Sequence, residues 1–354
     1  MAPLQVARPR TTHRVASEAA GERDCRVLAV IEPSGPQAAP SVSVVICAYT
    51  EARWDELVAA VDSMRAQETS VLETVLVIDH NAGLLDRAAR EIPGVVLVEN
   101  IEQRGLSGAR NSGVRVARGS VIAFMDDDAW ADPAWWTHLA AVYADSAVMA
   151  AGGAIVPSWE RGRPSWFPRE FDWVVGCTYL GMPETRAAVR NLIGCNMSFR
   201  REAFEEVGGF SHGIGRIGTR PLGGEETEFS IRARRRWPDR VILYEPAAVV
   251  NHRVPAARGT VRYFRSRCYA EGLSKAAISK LVGSGSALAT ERGYAVRTLG
   301  GGVARNLADT VRGSGLSGLR RAAVIVLGLV ATTSGYVVGR ISARPATAPE
   351  TSRQ

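Results

Sequence analysis

Three consecutive carboxylates, Asp126, Asp127 and Asp128, follow the apolar run from Val121 to Met125. Adjacent acids repel one another, and a site that keeps three together commonly has a cation offsetting the repulsion. Hard oxygen donors suit Mg2+ or Mn2+ and, through such an ion, a diphosphate. The competing reading is an acidic turn leading into a helix, with Asp132-Pro133 ahead of Ala134-Trp135-Trp136 as its start. A second acidic pair, Glu225-Glu226, comes directly after Gly223-Gly224 and ahead of the basic stretch 232–236. Two glycines there point to a crowded, ligand-facing turn; the alternative is a pair of acids favoured by a helix dipole.

These groups need a frame. The run 42–47 reads as a buried strand, followed by an amphipathic helix over about 54–67; further strands fall at 74–78, 95–98 and 121–126. Strands alternating with helices at this spacing imply a mostly parallel, doubly wound α/β sheet whose ligands bind at the carboxyl ends of the strands. Tyr49, Asp79 and the three aspartates all fall there. Between the third and fourth strands, the small residues from Gly105 to Gly113 let backbone approach a ligand at a helix start, with Arg104 and Arg110 supplying charge for phosphate. The segment lacks the lysine and hydroxyl of a P-loop. The dinucleotide fingerprint fails as well, because Ala48-Tyr49-Thr50-Glu51 stands where its glycines belong.

With 354 residues, 46% of them hydrophobic, the chain can bury one large core or two modest ones. Its net charge of +7 suits anionic partners. There is no lysine-rich or aromatic-interleaved patch of the kind that tracks nucleic acid, so nucleic acid is not expected as a partner. Five scattered cysteines with no CxxC pair indicate neither zinc nor a disulfide framework, in keeping with a reducing cytoplasm. No apolar run follows Met1, so no signal peptide is expected.

In order and spacing, these pieces resemble the family 2 glycosyltransferases of GT-A fold over about 41–253. The resemblance is carried by a first strand ending in Ala48-Tyr49, a second ending in Asp79, Gly108 to Gly113, Asp126-Asp127-Asp128, the stretch from Gly194 to Arg201, Val207 to Phe210, and Gly223-Gly224-Glu225-Glu226. The form of that last motif is similar to bacterial and archaeal enzymes that build surface polysaccharides or lipid-linked glycans, some of them glucuronosyltransferases.

The resemblance implies a set of roles. Ala48, Tyr49, Glu51, Asp79, Arg110, Asp126 and Asp127 would bind the nucleotide sugar, with Tyr49 on the base, Asp79 accepting from its N–H and Asp126 holding the ribose. Asp128 would hold a divalent metal, Mn2+ or Mg2+, with His252 beside it. Glu226, standing where the family has Asp, would be the general base, and Glu225 the second choice. Asn196, Met197 and Trp166 would shape the pocket for sugar and acceptor. The implied reaction is an inverting, metal-dependent transfer of a hexose or hexuronic acid from a nucleoside-diphosphate sugar, a UDP-sugar first, to a lipid-linked or surface-glycan acceptor. A sugar-phosphate nucleotidyltransferase and a non-catalytic scaffold are the rivals.

Four regions are expected: a tail over 1–40, holding at most an edge strand at 25–31, a catalytic domain over 41–255, a basic helical extension over 256–343, and a tail over 344–354. Within the extension, glycine-rich breaks fall at 283–285 and 300–302. The run 322–339 carries no charge, and as a helix would be about 27 Å long, the lower limit for crossing a bilayer. Spanning, lying in the membrane surface and packing as a soluble hairpin all remain open. Flanking arginines favour membrane contact but leave orientation undecided; with no signal peptide expected, the cytoplasmic face of the cell membrane is the expected location.

Overall fold

The computed structural model describes residues 40–212, 223–282, 294–314 and 316–341. The expected edge strand at 25–31, the break at 283–285, and the tails over 344–354 and over 1–40 apart from Pro40 lie outside these residues.

The first half is a parallel sheet. Strands β1 (Val42–Ala48), β2 (Glu73–Ile78), β3 (Val96–Glu99) and β4 (Val121–Asp126) line up in the order β3-β2-β1-β4. They are joined through helices α1 (Trp54–Arg65), α2 (Ala82–Glu91) and α3 (Leu106–Val116). Alternation along β1 serves both faces. Val44 and Ile46 pack with Leu57 and Val61 of α1 and Leu84 of α2, while Val45 packs with Val75, Val77 and Ala109 of α3. Each such side chain, fully buried, stabilises the sheet by about 1.5–3 kcal/mol.

Two glycines of the expected ligand-facing segment have a different task. A Cβ at Gly113 would stand 2.5 Å from Val45 Cγ1, and one at Gly108 would stand 2.0 Å from the Gln103 carbonyl oxygen. They bring α3 down onto the sheet and onto its own entry loop.

The second half is mixed. After β5 (Ala129–Ala131) and α4 (Trp135–Val142) come β6 (Val148–Trp159), β7 (Ala187–Ala188), β8 (Met197–Arg200), α5 (Arg201–Val207), α6 (Glu225–Arg236) and β9 (Val241–Val254). β8 pairs antiparallel with β4 and β6, and β6 runs parallel to β9, which also takes β5 and β7 on antiparallel registers. Periodicity shows a strand but not its direction, and the antiparallel half follows from these pairings. The register of β9 on β6 shifts between Gly153↔Glu245 and Ile155↔Val250, so the second half of β9 swings out to meet β5.

Beyond the sheet, α7 (Val261–Val282), α8 (Gly300–Asp309) and α9 (Leu316–Ile341) form a helical extension. The expected break at 300–302 is instead the first turn of α8. The helix passes so close to Glu170 that a Cβ at Gly302 would stand 2.5 Å from Glu170 Oε1, which explains a glycine where propensity alone reads a stop. The uncharged run lies inside the longer α9, packed along α7: a Cβ at Gly335 would stand 2.0 Å from the Tyr269 carbonyl oxygen, and one at Gly272 2.1 Å from that of Thr332.

Candidate active site

Register brings the carboxylates together. Cys47 of β1 pairs with Asp126 of β4, and the Asp79 N–H donates to the Ala48 carbonyl at 2.8 Å. Ala48, Asp79 and Asp126 therefore finish at one level, the carboxyl ends of the parallel strands. Asp127 and Asp128 form the turn from β4 to β5. Because Ala129 of β5 is paired with His252 of β9, and the Arg253 N–H donates to the Asp128 carbonyl at 2.9 Å, a histidine 124 positions further on arrives beside the aspartates. His252 Nε2 lies 3.2 Å from Asp128 Oδ1. Donor atoms of Asp126, Asp128 and His252 all fall within 4.8 Å of one another. Two carboxylates and an imidazole form a donor set that Mn2+ or Mg2+ fits. Asp132 does not cap α4; its Oδ1 accepts from Asn251 Nδ2 at 2.9 Å.

Arginines balance this charge. Arg53 reaches Asp127 Oδ2 at 2.8 Å and Asp128 Oδ2 at 3.3 Å, and Arg258 reaches Asp128 Oδ2 at 3.3 Å. Burial opposes ionisation of Asp128, yet the His252 hydrogen bond and the charges of His252, Arg258 and Arg53 hold its carboxyl well below the usual range. Asp127 goes the other way, pushed up to about 8 by burial and by Asp128 and Asp126 alongside it, despite Arg53. Only one of the two adjacent acids is thus strongly held as an anion.

The second acidic pair closes the opposite wall. Gly224 takes φ 100° ahead of α6, where a Cβ would stand 2.4 Å from Ile278 Cδ1 of α7, so the crowding comes from α7. Glu225 and Glu226 open the helix and take unlike roles. Buried Arg110, on α3, donates to Glu225 Oε1 at 2.8 Å and to the Gly194 carbonyl at 3.2 Å, and its Nη2 lies 3.6 Å from Asp126 Oδ1. Glu225 Oε2 is buried and finds no hydrogen-bond partner among the described residues. Glu226, partly exposed, has its carboxyl pushed up to about 8, by burial first and the Glu225 charge second. A carboxyl that titrates near neutrality suits proton transfer.

These residues line one cleft of about 280 Å³, which takes in Ala48, Tyr49, Asp79, Arg110, all three aspartates, Glu225, Glu226 and His252. Tyr49 is 41% exposed, with the Arg53 guanidinium 4.9 Å from its ring centre. Asp79 accepts from Asn100 Nδ2 at 2.6 Å and from the Gly105 N–H at 3.0 Å, and His80 Nδ1 lies 2.8 Å from its Oδ1, which leaves room on Oδ2 for one further donor.

Four of the expected site residues do not line the cleft. Glu51 is exposed and 3.9 Å from Arg87, because it begins a 3-10 turn that points it outward. Asn196 is buried and spent on structure: Oδ1 accepts from Trp135 Nε1 at 2.9 Å, and Nδ2 donates to the Ala154 and Ala248 carbonyls. Met197 is in the core on β8. Trp166 packs on Phe167 and Phe264, with ring centres 5.3 and 6.0 Å away. Besides Tyr49, the aromatic residues at the cleft are Trp173, whose Nε1 donates to the Tyr294 hydroxyl at 3.1 Å, and Tyr263 of α7. Arg53, Arg258, Tyr263 and Arg267 also line it, and local sequence carries no signal for them beyond Arg53 standing one helical turn past Tyr49.

Several known proteins are similar to this chain. The family model described as Glycosyl transferase family 2 matches residues 43–208. A glucosyl-dolichyl phosphate glucuronosyltransferase of Haloferax volcanii is 38% identical over 238 residues, which cover 66% of this chain and 76% of that protein. The succinoglycan biosynthesis protein ExoM of Rhizobium meliloti is 24% identical, over 65% of this chain and 72% of that one. Among solved structures, a mannosyltransferase from Pyrobaculum calidifontis, in complex with GDP-Man and Mn2+, shares the fold with a TM-score of 0.51 at 19% identity, covering 84% of this chain and 88% of that one.

Proposed function

The chain belongs to glycosyltransferase family 2, and from that premise we propose that it transfers a hexuronic acid or hexose, with inversion, from a UDP-sugar to a sugar carried on a polyisoprenyl phosphate. The observation that carries this reading is the convergence of Asp126, Asp128 and His252 within 4.8 Å, in the cleft that also holds Tyr49, Asp79 and Glu226. The similarity to a glucosyl-dolichyl phosphate glucuronosyltransferase supports the acceptor and the uronic acid.

In this reading the uracil stacks on exposed Tyr49 and donates its N–H to Asp79. Asp126, Asp128 and His252 would hold a divalent ion, which would offset charge on the diphosphate. Arg53 and Arg258 exchange their contacts with the aspartates for the phosphate oxygens, and Glu225 Oε2 accepts a hydroxyl of the transferred sugar. Glu226 takes the proton from the acceptor hydroxyl as its oxygen bonds to the anomeric carbon. The bond from that carbon to the diphosphate breaks on the opposite face, and UDP leaves with the electron pair. Arg110 is a positioning residue that ties α3, α6 and Asp126 together. Trp173 and Tyr263 cover the acceptor.

The test is a panel of UDP-, GDP- and dTDP-sugars, with and without Mn2+, read first as thermal shift and then as nucleotide release on a polyisoprenyl-phosphate-linked hexose. Stabilisation by UDP-glucuronate only with Mn2+, and release only with acceptor, is expected. Equal stabilisation by all nucleotides, or none by any, refutes the donor assignment.

A further inference from the structure

Helix α9 is patterned inside out. The residues it buries are mostly small: Gly318, Ala322, Ile325, Gly328, Ala331 and Gly335. Its large apolar side chains recur at steps of four and seven on the outward face: Leu319, Val326, Val330, Val337 and Ile341 are all exposed. A helix docked on a protein in water turns its large apolar residues inward. The opposite arrangement, with backbones in close approach on one side and bulky aliphatic groups on the other, suits an outward face solvated by hydrocarbon.

The same contacts argue against α9 crossing a bilayer. Glycines lock it along α7, and α7 carries Arg267, Glu271 and Lys275 at the level where Gly272 meets Thr332. Inserting α9 end to end would either carry those three charges into hydrocarbon or strip the helix from its partner. Charge identifies the occupant of the outward face. Residues 294–341 contain six arginines and one acid, Asp309. Of the six, Arg297, Arg312, Arg320 and Arg340 are exposed and make no ion pair among the described residues.

We infer that α9 lies flat in the surface of an anionic bilayer, its aliphatic face in the acyl boundary and its arginines on the headgroups. The inference rests on the lipid-linked acceptor proposed above and specifies how the enzyme meets it. Because α7 supplies Tyr263 and Arg267 to the cleft, a helix clamped to α7 holds the cleft at the lipid surface, where acceptor is concentrated.

The test uses the full chain and phosphatidylcholine vesicles with and without phosphatidylglycerol. Binding is expected to be strongest on anionic vesicles at low salt. It should fall at least tenfold in the double variant Val330→Glu, Val337→Glu, whose positions are 56% and 47% exposed, so that the melting temperature and donor binding stay unchanged. Nitroxide labels on Leu316→Cys, Leu329→Cys and Ile341→Cys should report one shallow depth. A depth gradient from one end to the other overturns the inference in favour of spanning. Absence of vesicle binding with donor binding intact overturns it while leaving the catalytic reading standing, and vesicle binding without donor binding does the reverse. A dimer in solution that the double variant dissociates would make a second copy the occupant and also overturn it.

Discussion

Changing Glu226 to Gln separates the two halves of the acidic pair. The Glu226 carboxyl titrates at about 8 because burial and the adjacent Glu225 charge both disfavour its anion. As a base it works only when ionised, so at pH 7 roughly one tenth of the enzyme is competent, and kcat/KM should rise about tenfold between pH 7 and pH 9. Glu226→Gln should lower kcat by about two to four powers of ten while donor affinity holds. Its effect on stability has a definite sign. The folded carboxyl binds its proton more tightly than the unfolded one, so stability is present at low pH and declines as pH rises from the usual carboxylate range through about 8. Glutamine abolishes that decline, and the variant should gain on the wild type in alkali. Glu225→Gln should behave differently: it removes the carboxylate charge 2.8 Å from buried Arg110 while leaving an amide acceptor and Asp126 nearby, at a cost of about 1–3 kcal/mol. It should also move the pH–rate midpoint downward by removing the like charge beside Glu226. The assays are UDP release from pH 6 to 9.5 and thermal melts over the same range. A flat profile, or a Glu225→Gln variant that loses turnover with stability intact, refutes the assignment.

Other outcomes follow from the same geometry. Asp128→Ala and His252→Ala should each weaken Mn2+-dependent donor binding by at least tenfold in calorimetry, the scale expected for a removed ligand or its close partner. Asp127→Asn should change it little, since Asp127 is not among the three residues whose donor atoms converge, and its own contact is with Arg53. Trp166→Ala should cost about 1–3 kcal/mol of stability in denaturant titration, because the partly buried ring packs in an aromatic cluster with Phe167 and Phe264. Trp173→Ala should instead raise the acceptor KM. Gly335→Val should pry α9 from α7, seen as proteolytic release of the C-terminal segment, because its Cβ would stand 2.0 Å from the Tyr269 carbonyl oxygen.

The alternation of apolar runs and helical patches was enough to place the four parallel strands, and with them Tyr49, Asp79 and Asp126 at one edge, because side chains at the ends of adjacent parallel strands have no other place to go. The order of the motifs also sufficed for the family. Pairing across long separations decided the rest. His252 meets Asp128 through the β5–β9 register and a shift in β9 that no local pattern encodes. Arg110 reads in sequence as a phosphate contact, but folding points it at Glu225, since a buried guanidinium must sit where a carboxylate can balance it. Asn196 and Trp166 look like pocket residues by type, yet both are consumed by structure, because a buried amide needs its hydrogen bonds met and an indole fills whatever gap the packing leaves. For α9, composition marks an apolar helix, and only its packing on α7 determines which face is left to meet something else.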